Sequence, residues 1–407
     1  MSRIYNLILT ILAIPIVIII RLLSPFVLIR LGGIDISRIG NFSHLDWYKG
    51  TRHLNICEKN SMDMFYFYSS FGNISNVQLS LMWRRVLRVL PFGQYIYAID
   101  KLNSKISGYH LHSIKFPYKK NNPHIKKNNT RKINQWTKAL LDCKTPFIKF
   151  TLDEEMRGER ILQKLGVPKG NDFISFHARD PAYLKTIDRH YDWSYHDFRD
   201  SSIQNYILAA EEMVQRSYFC LRVGNRVDEK IISSNPSIID YAFSSEITDY
   251  MDIFLFAKNR FMICSDTGIS EAALLFRRPL VRVNWVPICR HAIWAHNEVR
   301  IFKKFFLKKE NRILTFNEIN ELGIADVGVG TVFDKLDIEL IENTPEEIMA
   351  ATIEMDERLK SSWVSSKEDE ELQDCFWSRY GHGPGILKSP EQRIGADYLR
   401  DNKFLLD

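Results

Sequence analysis

Strands and helices alternate with short turns along residues 153–283, and few architectures accept that order. Residues 153–165 predict a helix that opens with acids and stops at Gly166, with Pro168 just beyond. Phe173–His177 reads as a strand, 203–215 as an amphipathic segment, and 218–223 as a strand closed by Gly224 and Asn225. The series continues with a helix over 247–257, a buried strand over 260–264, a helix over 269–276 and a strand over 280–283. This order implies a parallel, doubly wound sheet, because two parallel strands are joined by a crossover that a helix normally fills. The last clear helix is Pro345–Leu359, introduced by Asn343-Thr344 and acidic in its first turn.

The start of the chain has a different character. Residues 4–20 are almost wholly apolar, interrupted by Asn6, Thr10 and Pro15 and closed by Arg21. About 17 residues is near the lower limit for crossing a bilayer core at roughly 1.5 Å per residue. Arg3 before an apolar run also suits a signal peptide, but no small-x-small cleavage site stands before Arg21. The segment 1–25 is therefore expected to stay on the protein as a hydrophobic, membrane-associated helix, either a short span or a helix lying in the interface plane. A buried core helix is the competing reading. Residues 26–40 read as a strand ending in Gly32 and Gly33, followed by a turn at Arg38-Ile39-Gly40, which is how an α/β domain begins. Residues 79–90 have helical spacing, and Pro91 halts them. A first domain over 26–150, a second over 151–365 and a tail over 366–407 packing back on the body are expected.

Charge excludes little. A net +6 from 55 basic and 49 acidic side chains does not demand a polyanionic partner, and no nucleic acid is expected. Basic residues concentrate at Lys119, Lys120, Lys126, Lys127, Arg131 and Lys132, in a polar stretch, 117–132, that reads as an exposed loop. No two of the six cysteines, Cys57, Cys143, Cys220, Cys264, Cys289 and Cys375, stand at C-x-x-C spacing. That argues against a zinc ribbon or redox pair and leaves reduced thiols in a cytoplasmic compartment. No Asp-x-Asp clamp stands at a strand end, and the acidic run Glu368-Asp369-Glu370-Glu371 reads as a solvated face, so no metal is expected.

In a doubly wound sheet ligands bind beyond the carboxyl ends of the strands, which singles out two places. After Phe173–His177 come Ala178, Arg179 and Asp180. There Arg179 could fork onto a phosphate, His177 donate to it, and Asp180 orient the pair; the plainer reading is an Arg179–Asp180 surface salt bridge. After 260–264 come Ser265, Asp266, Thr267 and Gly268, opening a helix that carries Glu271. Amides at a helix start, with the Ser265 and Thr267 hydroxyls, form an anion site, and Gly268 lets the backbone approach closely. Glu271 could accept from a ribose. The plainer reading is a helix cap at 265–267 with Glu271 as its capping-box acid.

That strand, the Ser265-Asp266-Thr267-Gly268 turn, the helix with Glu271 and then Arg278-Pro279 before another strand resemble the nucleotide-sugar half of two-domain, GT-B type glycosyltransferases. His177-Ala178-Arg179 is similar to the element that fucosyltransferase-type enzymes aim at the donor diphosphate. Most of 27–400 also resembles a family of bacterial glycosyltransferases encoded with surface-polysaccharide genes. The pieces that carry the likeness are Arg38-Ile39-Gly40, NVQLSLMW at 76–83, HARDPAYL at 177–184, FRDSSIQNY at 198–206, Ile239-Asp240-Tyr241-Ala242, Asp249-Tyr250-Met251-Asp252 and IENTPEEI at 341–348. Asn41 departs from the family's pattern, which has His after RIG.

The resemblance implies an α/β fold of two Rossmann-like doubly wound domains, with 26–150 on the acceptor side and 151–365 holding the nucleotide sugar. It implies sugar transfer from a nucleotide-diphosphate donor to a lipid-linked or surface glycan, in a cleft between the domains. The setting is bacterial polysaccharide biosynthesis (O-antigen, capsule or lipopolysaccharide), at the cytoplasmic face of the inner membrane. No cofactor beyond the donor is implied. Arg179, His177 and the helix at Thr267-Gly268 would stabilise the leaving diphosphate. His44 or Asp46 would supply the acceptor base in place of the missing His, and Arg38 with Gly40 could hold phosphate from the other side. Two rival readings keep the same phosphate site: a non-catalytic membrane-bound nucleotide or glycan-binding module, and a sugar-nucleotide epimerase or hydrolase. A dehydrogenase is disfavoured, since no G-x-G-x-x-G follows an early strand.

Overall fold

A computed structural model describes residues 3–53, 61–114, 116, 137–138, 140–187, 191–289, 295–380 and 391–407. The basic stretch 117–132 and Cys57 lie outside the described residues. The chain divides into two compact units, 1–126 with 147–149 and 127–146 with 150–407. No disulfide joins the described cysteines.

In the first unit β1 (Leu28–Asp35), β2 (Ser61–Tyr68) and β3 (Val89–Leu90) form a parallel sheet in that order. On the far side of β1 the ladder continues as one parallel bridge, Leu31 to Ser113. β2 and β3 thus lie on one side of β1 and the later bridge at Ser113 on the other, so the order turns back at β1, on a small scale, as in a doubly wound sheet. Gly32 and Gly33 lie inside β1 instead of ending it. A Cβ at Gly33 would stand 2.4 Å from the Tyr66 ring, so the glycine makes room for a buried aromatic on the next strand.

Four helices accompany this sheet: α1 (Arg3–Leu23), α2 (Ser43–His53), α3 (Val77–Val86) and α4 (Gly93–Asn103). Asn76 caps α3 by accepting the Leu79 amide at 2.8 Å, and the helix closes at Val86, before the expected stop at Pro91. Asp63 gathers the Arg30 and Arg52 guanidiniums and the Tyr48 hydroxyl at 2.7, 2.8 and 2.8 Å, tying α2 to β1 and β2. Ala13, Val17 and Ile20 of α1, about one turn apart, are buried in a cluster with Ile99 of α4. The segment 1–25 is thus no appendage: one stripe of it belongs to the unit's core. Among the described residues no helix is long and apolar enough to cross a membrane.

The second unit is built on a seven-stranded sheet with every neighbouring pair parallel. Its strands are β4 (Phe173–His177), β5 (Phe219–Arg222), β6 (Ile238–Asp240), β7 (Met262–Cys264), β8 (Leu280–Trp285), β9 (Glu298–Phe302) and β13 (Gln392–Ile394). Their spatial order is β13-β9-β8-β7-β4-β5-β6. Between β9 and β13 the chain adds a small antiparallel sheet of β10 (Lys304–Leu307), β11 (Arg312–Ile313) and β12 (Ile338–Ile341). The unit's helices include α5 (Leu152–Lys164), α6 (Ala182–Ile187), α7 (Ile207–Gln215), α8 (Asp249–Lys258), α9 (Gly268–Leu275), α10 (Pro345–Leu359), α11 (Lys367–Tyr380) and α12 (Ala396–Asp401).

Thr151 with Glu154 and Thr344 with Glu347 form reciprocal capping boxes on α5 and α10, which is why local sequence located these helices well. The amphipathic stretch 203–215 is a 3₁₀ turn, Ile203–Tyr206, running into α7. The tail supplies an unexpected helix, α11, and its strand β13 joins the sheet edge beside β9. Within the acidic run, Asp369 is buried, accepts the Ser366 amide at 2.8 Å and pairs with Arg400, so this part is not a solvated face. Phe176, Ile263, Val281 and Val299 from four adjacent strands pack with Met213 and Met355 of the covering helices.

Candidate functional site

β4 is followed in the chain by β5 and β6 on one flank, and then the chain crosses back to lay β7 on the other. The order reverses at the β4/β7 pair, the place where a doubly wound sheet opens a crevice for ligands. Both stretches singled out in the sequence stand at the carboxyl ends of these two strands. They are stitched together: the Arg179 amide donates to Ser265 Oγ at 2.9 Å and the Ser265 amide to the His177 carbonyl at 3.4 Å.

Each residue there has a defined job. His177 is buried, and its Nδ1 lies 2.8 Å from the Val223 carbonyl. Burial, with the Arg222 and Arg179 guanidiniums adding to it, pushes the ring down to about 4 despite that carbonyl, so it is neutral near pH 7. A neutral ring with Nδ1–H on a carbonyl has an acceptor at Nε2. His177 therefore positions the loop after β5 and is not the phosphate donor expected. Asp180 does not orient Arg179 and His177 either. Its two oxygens accept the Ala182 and Asp228 amides at 3.0 and 3.1 Å, fixing the start of α6 and the loop after β5. Nor does it form the plain salt bridge, because Arg179 pairs with Asp200.

Arg179 is the centre of the site. Its side chain is 9% exposed, and its Nη1 donates to the Asp200 carboxylate and, at 3.1 Å, to the His196 carbonyl. Nη2 is buried with no hydrogen-bond partner among the described residues. Burial and the neighbouring Arg199 lower this guanidinium to about 10, so it stays charged at neutral pH. Ser265 is fully buried, and its hydroxyl accepts from the Arg179 amide, so it builds the loop instead of facing a ligand. Asp266 stands 3.5 Å from Arg199. Thr267 occupies the N-cap position of α9 in extended conformation, but its side chain makes no capping bond, and Gly268 after it is exposed. The plain capping explanation thus fails at Thr267, and the first amides of α9 carry the helix's positive end. Glu271 lies one turn in, 4.0 Å from Arg282. Beneath α9 runs a buried network in which Glu298 pairs with Arg282 and Arg300, whose guanidiniums lie 4.5 and 5.0 Å from the Trp285 ring centre.

Two cations join Arg179 that the sequence reading did not single out. Arg199 reaches Asp266 and His196, and its Nε is buried without a hydrogen-bond partner among the described residues. Arg199 and Asp200 belong to the FRDSSIQNY piece, so the signal was present but carried no role. Lys303 is buried and donates to the Asp200 carbonyl at 2.6 Å; burial, helped by Arg179 and opposed by Glu342, pushes it down to about 8. It follows β9, a strand that periodicity did not reveal. Three cations thus gather around two carboxylates, Asp200 and Asp266.

In the first unit Arg38, Gly40, His44 and Asp46 follow the carboxyl end of β1. Arg38 occupies the N-cap position of the 3₁₀ turn Ile39–Phe42 that contains Gly40, without a side-chain capping bond, and its guanidinium lies 5.7 Å from the Phe71 ring. Asp46 is buried in the first turn of α2, and His44 is half-buried with its ring 5.5 Å from that of Phe116. Asn41 donates to the Asp35 carbonyl at 2.7 Å, so it ties the turn together. Asp35 itself closes β1; burial raises its carboxyl, but amides of Ser37 and Ser70 at 3.0 and 3.2 Å hold it below the usual range. Among the described residues no three His, Cys, Asp or Glu side chains gather as a metal cage.

No family model matches this chain, and no curated protein matches it. Among solved structures, a glycosyl transferase family 9 protein from Veillonella parvula DSM 2008 is 9% identical, with 83% of this chain and 98% of that chain covered and a TM-score of 0.43. The E. coli ADP-heptose lps heptosyltransferase II is 11% identical, with 67% and 90% covered and a TM-score of 0.37. A variant of the wall teichoic acid polymerase TagF is 9% identical, with 100% and 98% covered and a TM-score of 0.29. All three TM-scores fall below 0.5, so none of these likenesses decides what this chain does.

Proposed function

We propose that the protein is a glycosyltransferase that moves a sugar from a nucleotide-diphosphate donor to a lipid-linked or surface glycan acceptor. The reading places it in bacterial polysaccharide biosynthesis, O-antigen, capsule or lipopolysaccharide, at the cytoplasmic face of the inner membrane. The observation that carries it is the anion cradle at the β4/β7 switch point. There Arg179 with its unspent Nη2, Arg199 and Lys303 stand beside the uncapped start of α9. In transfer, the bond between the sugar's anomeric carbon and the phosphate oxygen breaks and the diphosphate leaves with added negative charge. Fixed guanidiniums and helix amides stabilise that charge without reorganising, and they do so without a metal. Glu271 is the candidate for the ribose, and Asp46 or His44 is proposed as the general base. The fucosyltransferase likeness is not part of this reading, because His177 spends its Nδ1 on a carbonyl.

The test is release of nucleoside diphosphate from UDP-, GDP-, CDP- and ADP-sugars by the full chain, with and without membrane lipid extract as acceptor source. Diphosphate release that depends on the extract supports transfer. Release without any acceptor points to a hydrolase, binding without release to a non-catalytic module, and neither binding nor release refutes the donor site.

A further inference from the structure

α1 is apolar over most of its surface, and the first unit buries one stripe of it. Ile4, Leu7, Ile8, Ile11, Ile18 and Leu22 stand in solvent, with Ile4 71% and Leu22 70% exposed. Single exposed leucines are ordinary on a protein surface. A strip of aliphatic side chains at spacings of three and four along a helix of 21 residues, roughly 30 Å long, is not. We propose that this strip is a lipid-docking surface that seats the first unit on a bilayer, with α1 lying in the interfacial plane. The proposal stands independently of the transferase reading.

Three observations select a bilayer as the occupant. α1 carries no acidic residue, and the neighbouring α4 region exposes Lys101 and Lys105, which sets an apolar strip beside positive charge, as an anionic lipid surface requires. The six side chains named are all aliphatic, whereas a protein interface carries about one hydrogen bond per 100–200 Å². Aromatic rings flank it as in an interfacial belt: Phe26, 87% exposed, lies beyond its C-terminal end. Toward the N-terminal end Tyr5 and Phe92 border an open crevice of about 430 Å³ that α1 and the start of α4 enclose. The in-plane orientation follows from how α1 is tied down. Tyr95 donates to the Leu12 carbonyl at 2.8 Å, and Arg21 donates to the Asn103 side chain and the Ser107 carbonyl at 2.7 and 2.6 Å. A helix held along its length by its own domain presents one side to lipid.

The experiment is flotation of the full chain with vesicles of phosphatidylcholine alone and of phosphatidylcholine with phosphatidylglycerol. Binding is expected to both, stronger to the anionic vesicles and weakened by salt. Ile11→Glu combined with Ile18→Glu should lower the vesicle-bound fraction about tenfold or more. The melting temperature should stay unchanged, since neither side chain enters the core. Unchanged flotation of that variant overturns the proposal. So does a wild-type dimer that binds no vesicles and becomes a monomer in the variant, because a second copy would then cover the strip.

Discussion

Replacing Arg179 with alanine removes from the cradle a guanidinium whose Nη2 is buried without a hydrogen-bond partner among the described residues. A hydrogen bond to a charged group contributes about 1.5–3 kcal/mol, so the affinity for the matching nucleoside diphosphate should fall by roughly 10- to 150-fold. At a ligand concentration near 100 times the wild-type Kd, binding stabilises the folded protein by about 2.7 kcal/mol; a 30-fold weaker site leaves about 0.9. At roughly 2 °C per kcal/mol for a unit of this size, the ligand-induced melting shift should drop from about 5 °C to under 2 °C. Loop damage would give a similar drop, so Asp200→Asn is the control. It releases the Arg179 Nη1 from a carboxylate and removes a negative charge from the cradle, so binding should hold or tighten by a few-fold. The assay is a thermal-shift titration backed by calorimetry. Diphosphate affinity in folded Arg179→Ala within twofold of wild type refutes the reasoning, as does an equal loss in both variants.

The remaining predictions follow from individual contacts. Lys303 sits near 8 when the site is empty, and an anion binds its charged form, so diphosphate affinity should fall between pH 7 and 9; Lys303→Met should abolish that slope in calorimetric titrations. The same depressed lysine means the unfolded chain binds more protons above pH 8, so the stability of the free protein should rise with pH over that range in wild type but not in the variant. Asn343 accepts the Asn284 amide at 2.6 Å and donates to the Phe302 carbonyl at 2.9 Å, both buried, so Asn343→Ala should cost about 2–4 kcal/mol, read as a lower urea midpoint at constant m. Gly33→Ala meets the Tyr66 ring at 2.4 Å and should destabilise the first unit by about 1–3 kcal/mol, and Tyr66→Leu in the same chain should recover part of that in a double-mutant cycle.

By itself the sequence determined what depends on neighbours in the chain. The capping boxes at Thr151 and Thr344, the apolar runs of β4 and β8 and the strand–turn–helix at 260–276 are set within a few residues, so periodicity and cap chemistry located them. It also placed Arg179 and Thr267-Gly268 after strands, where a doubly wound sheet binds ligands. Only the tertiary structure decided that β4 and β7 are neighbours and that Ser265 stitches their loops. It likewise decided that Asp180 serves backbone amides, that His177 spends its Nδ1 on Val223, and that Arg199 and Lys303 complete the cradle. α1 makes the same point at the other end of the chain. Its hydrophobicity was legible, but which stripe docks on α4 and which faces outward depends on residues some 80 positions away. Partners so distant in sequence are chosen by sheet order and packing, and no local pattern of apolar and polar residues encodes them.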